Sequence, residues 1–426
     1  MIEKIYQHYL TCNGVSTDTR QLGKGTMFFA LKGPNFNANE FAAQALEQGA
    51  KYVIIDEEKY KINENCLLVP DVLLALQQLA LYHRRNLKIP VIGITGSNGK
   101  TTSKELINAV LSKKYKTFAT KGNLNNHIGV PVTVLSITSA VQIAIIEMGA
   151  NKVGDIAELV AIAEPSHGLI TNIGKAHIEG FGSFEGVIRG KSELYHYLIQ
   201  NDGKIFVNSN NDILVNMSKR VKEPVFYPQP GDFFSCELLE ANPYVKYRDE
   251  NGKEVLSNLM GRYNFENIAA ALCIGKYFAV NAVEANEAIR NYVPSNNRSQ
   301  VYKKGSNTIL MDAYNANPTS MQASLDNLRQ MKVVKKIAIL GDMYELGSNE
   351  KAEHATIGTI TATMALDEVI FCGKKMVAAK QANPAALYFA GKDELIKHLQ
   401  TNKYNEAYIL IKGSRAMALE SIVEYL

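Results

Sequence analysis

The sequence predicts an α/β fold in three domains: a small N-terminal α/β domain at residues 1–85, a central P-loop domain with a parallel sheet at 86–297, and a C-terminal Rossmann-like domain at 298–426. Three observations carry this expectation. A glycine-rich stretch at 96–102 joins an apolar run at 91–94 to a helical pattern at 103–111, which is a strand, a phosphate-type loop and a helix in order. Strand patterns alternate with helical ones on both sides of residue 298, as in parallel sheets covered on both faces. A length of 426 residues suits about three domains, and 46% hydrophobic residues suffice for ordinary cores.

Along the chain, short apolar runs at 27–31, 52–55 and 66–69 precede an amphipathic helix expected at 72–83. After Leu87-Lys88-Ile89-Pro90 comes the strand of the phosphate loop, then strands expected at 143–146, 169–173 and 204–207. An alanine-rich helix is expected at 266–277, and Val293-Pro294-Ser295-Asn296-Asn297 reads as a linker. The last region carries four expected strands, at 308–311, 336–340, 368–371 and 408–411, each running into Asp or Gly and then a helix. In such doubly wound units the carboxyl ends of the strands face the ligand.

Composition narrows the setting. With 46 basic against 42 acidic residues, a net charge of +4 and no basic run, the chain lacks the electrostatic footprint of a nucleic-acid binder. Cys12, Cys66, Cys236, Cys273 and Cys372 are odd in number, scattered and never in a C-x-x-C pair, so neither a disulfide framework nor a zinc site is implied. The N-terminal stretch lacks a signal-peptide core, and no apolar run nears the ~18 residues of a membrane span. A soluble, cytoplasmic and monomeric protein is expected.

The chemistry concentrates at strand ends. In Gly93-Ile94-Thr95-Gly96-Ser97-Asn98-Gly99-Lys100-Thr101-Thr102, free N–H groups and the helix dipole favour phosphate, and glycines let the backbone wrap it closely. Lys100 is expected to reach the terminal phosphates and Thr101 to bind magnesium. The loop is a variant, because the glycine usual five residues before Gly99 is Ile94, with Gly93 and Gly96 on either side. Glu147 directly follows the strand at 143–146 and is either a magnesium ligand at the sheet edge or a surface carboxylate. His177 follows another strand and either shares that rim or is structural. Lys191 interrupts a helical stripe of Phe184, Val187, Ile188, Leu194, Tyr195 and Leu198. An amine there is costly unless paired, neutralised or chemically used, the alternative being that it snorkels to water.

Taken together, Gly96 to Thr102, Glu147, Asn172-Ile173 with Ala176-His177, Gly190-Lys191, and Gly261-Arg262-Tyr263-Asn264-Phe265-Glu266-Asn267 resemble the ATP-dependent Mur ligases of bacterial cell-wall synthesis. Gly122-Asn123-Leu124-Asn125-Asn126, Asp312-Ala313-Tyr314-Asn315-Ala316-Asn317-Pro318, Gly341-Asp342-Met343-Tyr344-Glu345-Leu346-Gly347 and Lys412-Gly413-Ser414-Arg415 resemble those members that add D-alanyl-D-alanine. Ser16-Thr17-Asp18-Thr19-Arg20 and Phe28-Phe29-Ala30-Leu31-Lys32-Gly33 resemble the family's uridine-binding domain, so the likeness spans nearly the whole chain. Asp18-Thr19-Arg20 and Asn37-Ala38-Asn39 depart from the family's frequent Asp-Ser-Arg and Asp-Gly-His.

The resemblance implies ATP and Mg2+ as cofactors, with UDP-N-acetylmuramoyl-tripeptide and D-alanyl-D-alanine joined through an acyl phosphate. It implies ATP contacts at Gly96, Ser97, Asn98, Gly99, Lys100, Thr101 and Thr102, with Asn264 and Asn267 at the adenine and Arg298, Asp312 and Tyr314 completing the nucleotide site. The implied magnesium ligands are Thr101, Glu147, His177 and Lys191, the last as a carbamate; Lys100, Lys191, His177 and Glu147 form the implied catalytic set. Asn125 and Asn126 are placed near the substrate carboxylate, and Asp18, Thr19 and Arg20 at the uridine. Another ligase of the family, including the folylpolyglutamate type, is the main alternative. A nucleotide-regulated binding module, from a different class, has no need of Lys191 or Glu147.

Overall fold

The strand Val91–Thr95 is buried at every position, as its apolar run at 91–94 suits a strand covered on both faces. In the computed structural model, which describes residues 1–294 and 298–426, it lies near the middle of a six-stranded sheet. The order is Val225–Tyr227, Lys204–Asn208, His167–Ile170, Val91–Thr95, Ile143–Glu147 and Thr117–Ala119, with all neighbours parallel. Parallel neighbours end on the same side, so the phosphate loop, Glu147 and the segment after Ile170 emerge together at one edge.

Several boundaries differ from expectation. The strand expected at 169–173 stops at Ile170, because Thr171 and Asn172 turn aside to bond the phosphate loop: Thr171 Oγ1 donates to Asn98 O (2.6 Å) and Ser97 N to Asn172 O (2.9 Å). The helix expected from 103 begins at Lys100, directly after Gly99 in the left-handed region (φ 80°). The helix expected at 266–277 starts at Tyr263, and that expected at 72–83 continues to Asn86. An antiparallel sheet, Cys236–Ala241, Tyr244–Asp249 and Glu254–Met260, was not foreseen. Its inward residues Val245, Tyr247, Val255 and Leu259 share a core with helix Tyr263–Tyr277.

The N-terminal residues form a four-stranded parallel sheet, Val15–Ser16, Met27–Phe29, Tyr52–Ile55 and Cys66–Leu68. Helix Val72–Asn86 carries Leu76, Leu79 and Ala80 into the same apolar cluster as Val130, Val134, Leu159 and Val160 of the central region. The N-terminal unit is therefore not sealed off from its neighbour. The C-terminal sheet has the order Gln300–Lys304, Asn307–Met311, Ala407–Lys412, Lys335–Gly341, Glu368–Cys372 and Leu387–Phe389. Its four central strands are the expected ones; Gln300–Lys304 is antiparallel and, with Leu387–Phe389, extends the edges. Ser295, Asn296 and Asn297 of the expected linker lie outside the described residues. Among the described residues no helix is long and apolar enough to cross a membrane.

Candidate active site

The phosphate loop is shaped by its neighbours. Gly96 (φ 145°) leaves no room for a side chain, since a Cβ would stand 2.0 Å from Thr171 Oγ1, and at Gly99 one would meet Asn267 Oδ1 at 2.6 Å. Asn98 N donates to Asn172 Oδ1 (3.0 Å) and Ser97 Oγ to Gly174 O (3.0 Å). Lys100 Nζ donates to Gly96 O (2.7 Å), which holds the amine across the loop. Burial lowers its pKa to about 8, with Glu147 opposing the shift and Arg298 adding to it.

Glu147 is 1% exposed, so it is no surface carboxylate. It accepts from Thr101 Oγ1 (3.0 Å) and Asn125 Nδ2 (2.8 Å), and Lys104 Nζ stands 3.6 Å away, itself buried. A buried carboxylate needs this company to remain charged. Lys104 was missed by the sequence reading; its signal was a second lysine one helical turn after Lys100, on the same face.

Lys191 sits on helix Phe184–Gln200 and is 1% exposed, so its amine does not snorkel to water. Nζ donates to Ala150 O (3.2 Å) and lies 5.2 Å from the Phe181 ring centroid. Burial pushes its pKa well below 10.5, Lys100 adding to the shift while Asp155 and Glu193 oppose it. His177 has a left-handed backbone (φ 54°), and its Nδ1 lies 2.5 Å from Glu345 Oε2 of the C-terminal region. The approach is close but without hydrogen-bond alignment, since among the described residues the buried Nδ1 has no aligned partner. His177 nevertheless holds the Glu345 carboxyl below its usual range.

On the facing sheet, Asp312 forms an ion pair with Lys412 (2.6 Å) and accepts from Ser324 Oγ (2.8 Å). The Arg298 guanidinium stacks 3.6 Å above the Tyr314 ring. Asn264 Nδ2 donates to Ser299 Oγ (3.1 Å), and Asn267 Nδ2 to Asn264 Oδ1 (2.9 Å). Asn317 Nδ2 donates to Asn98 Oδ1 (2.8 Å), tying the C-terminal region to the loop itself.

A single cavity of about 650 Å³ runs between these two sheet edges. Ser97, Asn98, Gly99, Lys100, Thr102, Asn125, Asn126, Glu147, His177, Asn264, Asn267, Arg298, Asp312 and Tyr314 all border it. Thr101 reaches it through Glu147, Gly96 supports the loop behind it, and Lys191 stands behind Ala150 of its wall. Asp18, Thr19 and Arg20 are not among its lining: Asp18 caps the turn Thr19–Gln21 and pairs with Arg20 at 2.7 Å in the N-terminal unit. Lys412, Ser299 and Asn317 had been given no role by the sequence reading, because each is brought in by a partner distant in the chain.

Among the described residues no group of three or more His, Cys, Asp and Glu side chains forms a metal cage. The Thr101 hydroxyl beside the Glu147 carboxylate offers oxygen atoms of the kind a hard cation takes.

A phosphate loop, a buried strand-end carboxylate and a second doubly wound region across one cavity fit a nucleotide-dependent ligase. Residues 94–275 match the Mur ligase middle domain and residues 297–415 the Mur ligase glutamate ligase domain. A UDP-N-acetylmuramoyl-tripeptide–D-alanyl-D-alanine ligase from Escherichia coli is 35% identical over 98% of this chain and 94% of its own. A crystal structure of MurF from Acinetobacter baumannii superposes with a TM-score of 0.87 at 30% identity, covering 100% of this chain and 98% of the other. MurF ligase from Thermotoga maritima, in complex with ADP, gives a TM-score of 0.85 at 26% identity, covering 98% and 97%. The chain belongs to the Mur ligase family.

Proposed function

We propose that this chain joins D-alanyl-D-alanine to UDP-N-acetylmuramoyl-tripeptide with ATP, through an acyl phosphate, in cytoplasmic peptidoglycan precursor synthesis. The observation that carries this reading is the one cavity on which Lys100 and Glu147 of the central sheet face Asp312 and Lys412 of the C-terminal sheet. Whole-chain likeness to ligases of that activity favours it over another amino-acid ligase of the family.

The first step brings a carboxylate against the γ-phosphate, anion against anion, so the site must supply positive charge before chemistry begins. Lys100 supplies it at the loop, and the N–H groups at the start of helix Lys100–Leu111 add theirs. Thr101, Glu147 and His177 would hold Mg2+, which neutralises the phosphate oxygens. The carboxylate oxygen attacks the γ-phosphorus and ADP leaves; the amine of D-alanyl-D-alanine then attacks the acyl carbon, and phosphate leaves with the amine proton lost to solvent. Asn264 and Asn267 would meet the adenine, Arg298, Asp312 and Tyr314 the rest of the nucleotide, and Asn125 and Asn126 the tripeptide carboxylate. Lys191, whose charged form burial disfavours, would add through its nitrogen to carbon dioxide and release a proton, becoming a carbamate ligand of the second cation. The C-terminal region at 298–426 would exclude water as it closes on the central region at 86–297. Residues 1–85, with Asp18, Thr19 and Arg20, would anchor the uridine.

Phosphate release tests the reading. With ATP, UDP-tripeptide and D-alanyl-D-alanine together, turnover should be fast, and omission of either acceptor should leave the enzyme nearly idle. Equal ATP hydrolysis without acceptors would instead mark a nucleotide-regulated binding module.

A further inference from the structure

The central and C-terminal regions also meet beside the cavity, where residues 174–180 face residues 341–353. Lys175 Nζ pairs with Glu353 Oε1 (2.7 Å), Lys175 N donates to Thr319 Oγ1 (3.0 Å), and Glu179 N donates to Glu345 O (3.3 Å). Between these contacts lies the approach of His177 Nδ1 to Glu345 Oε2 at 2.5 Å. Both residues are left-handed without being glycine, with φ 54° and 62°. Such backbones are disfavoured for side chains larger than hydrogen and persist where the surroundings impose them, most often at functional sites.

Glu345 is carried on a stiff loop. Buried His354 accepts from Met343 N through Nε2 (3.0 Å) while its Nδ1 contacts Glu350 O (2.7 Å), and Asp342 Oδ1 accepts from the N–H groups of Lys375 and Met376 (3.0 Å each). The loop is fixed from within, so the carboxylate is presented to His177 at a set position. Among the described residues the buried His177 Nδ1 has no hydrogen-bond partner, which leaves Glu345 as the group able to accept a hydrogen bond from it after a small rotation of the ring.

We infer that Glu345 is a positioning residue: from the C-terminal region it holds the Nδ1 side of His177, leaving Nε2 for the cation that the proposed function assigns to that histidine. The inference rests on that assignment. A histidine that ligates a metal commonly donates its second ring N–H to a carboxylate, which fixes tautomer and ring orientation and raises the basicity of the ligating nitrogen. Here the carboxylate comes from another part of the chain than the histidine. Cation affinity at the central site is thereby coupled to docking of the C-terminal region, so the site is complete only when both are in place.

Mn2+ serves as a probe for Mg2+, its binding to the full chain with ADP being followed by electron paramagnetic resonance of the free ion. Glu345→Ala should weaken Mn2+ binding by about 10-fold to 100-fold. Metal-free ADP affinity should not change. Glu345→Gln, which keeps an acceptor oxygen, should recover part of the loss. His177→Ala should weaken binding at least as much, and the double variant no more than His177→Ala alone. Glu353→Ala, which breaks the neighbouring pair without touching His177, should bind Mn2+ as the parent does. Wild-type affinity in Glu345→Ala alongside a weakened His177→Ala would overturn the inference and leave the proposed function standing. Multiplying losses in the double variant, or a loss in Glu353→Ala equal to that in Glu345→Ala, would also overturn it. Wild-type affinity in His177→Ala would overturn both the inference and the assignment of His177.

Discussion

Lys412 and Lys191 are each 1% exposed, and each stands beside the same cavity, yet they are kept in opposite ways. Lys412 ends strand Ala407–Lys412 next to Asp312, which follows the parallel neighbour Asn307–Met311, and the two charges meet at 2.6 Å. Burial pushes the Asp312 carboxyl up, but Lys412 and the Ser324 hydroxyl outweigh it and hold the group below its usual range. Among the described residues Lys191 has no such partner: it meets a carbonyl and the face of Phe181, and its pKa falls well below the usual value. At equal burial one lysine is held beside a carboxylate, while the charged form of the other is disfavoured. The nearest charge decides which.

Four measurements would break or sharpen this contrast. The largest effect is expected for Lys191→Met, which should lower turnover by ~100-fold or more if its chemistry supports the transition state. Stability in urea should be unchanged or higher, because a desolvated amine is removed. Acetate at high concentration should restore part of the rate in Lys191→Ala, and full activity without it would assign Lys191 to packing alone. Lys412→Met should do the reverse at the level of folding, leaving the partly buried Asp312 without its cation at a cost of up to about 3 kcal/mol. An unshifted urea midpoint would show that the pair is not structural.

Lys104→Met probes the intermediate case, a buried lysine 3.6 Å from a proposed cation ligand. Loss of such a neighbour typically costs about 10-fold in metal affinity or activity, read here as the Mg2+ concentration at half-maximal rate. An unchanged Mg2+ titration would leave Glu147 oriented by Thr101 and Asn125 alone.

The smallest effect is a slope of stability with pH. Lys191 and Lys100, the latter at about 8, release protons in the folded state at lower pH than in the unfolded chain. Between the folded values and 10.5 the unfolded state binds more protons, so stability should rise with pH across that window. Lys191→Met should flatten the rise. Asp312 gives a slope of the same sign at lower pH: its depressed pKa stabilises the fold above 3.8, and that contribution is lost as pH falls through the folded value. Denaturant midpoints across pH would measure both limbs.

Much of this was legible in advance for reasons that are local. The phosphate loop announced itself because its glycines, lysine and threonines must follow a strand and open a helix, and the chain places Gly96 and Lys100 between Val91–Thr95 and Lys100–Leu111. Lys191 stood out as a charge on an apolar stripe, and its burial follows from that stripe. The antiparallel sheet at 236–260 was not legible, since its alternation is short and its inward side is set by the helix it covers. The early end of the strand at Ile170 was hidden too, because Thr171 and Asn172 leave the sheet for partners more than 70 residues away.

By itself the sequence determined where the phosphate-type loop and the polar strand ends stand along the chain, because periodicity and loop composition act over a few residues. Tertiary structure alone decided the company each side chain keeps. Glu147 beside Lys104, Asp312 beside Lys412, and His177 beside Glu345 are pairings across separate elements. Coulomb interaction and desolvation depend on distances of a few ångströms and on exclusion of water, and both are set only when the sheets pack and the two faces of the cavity meet.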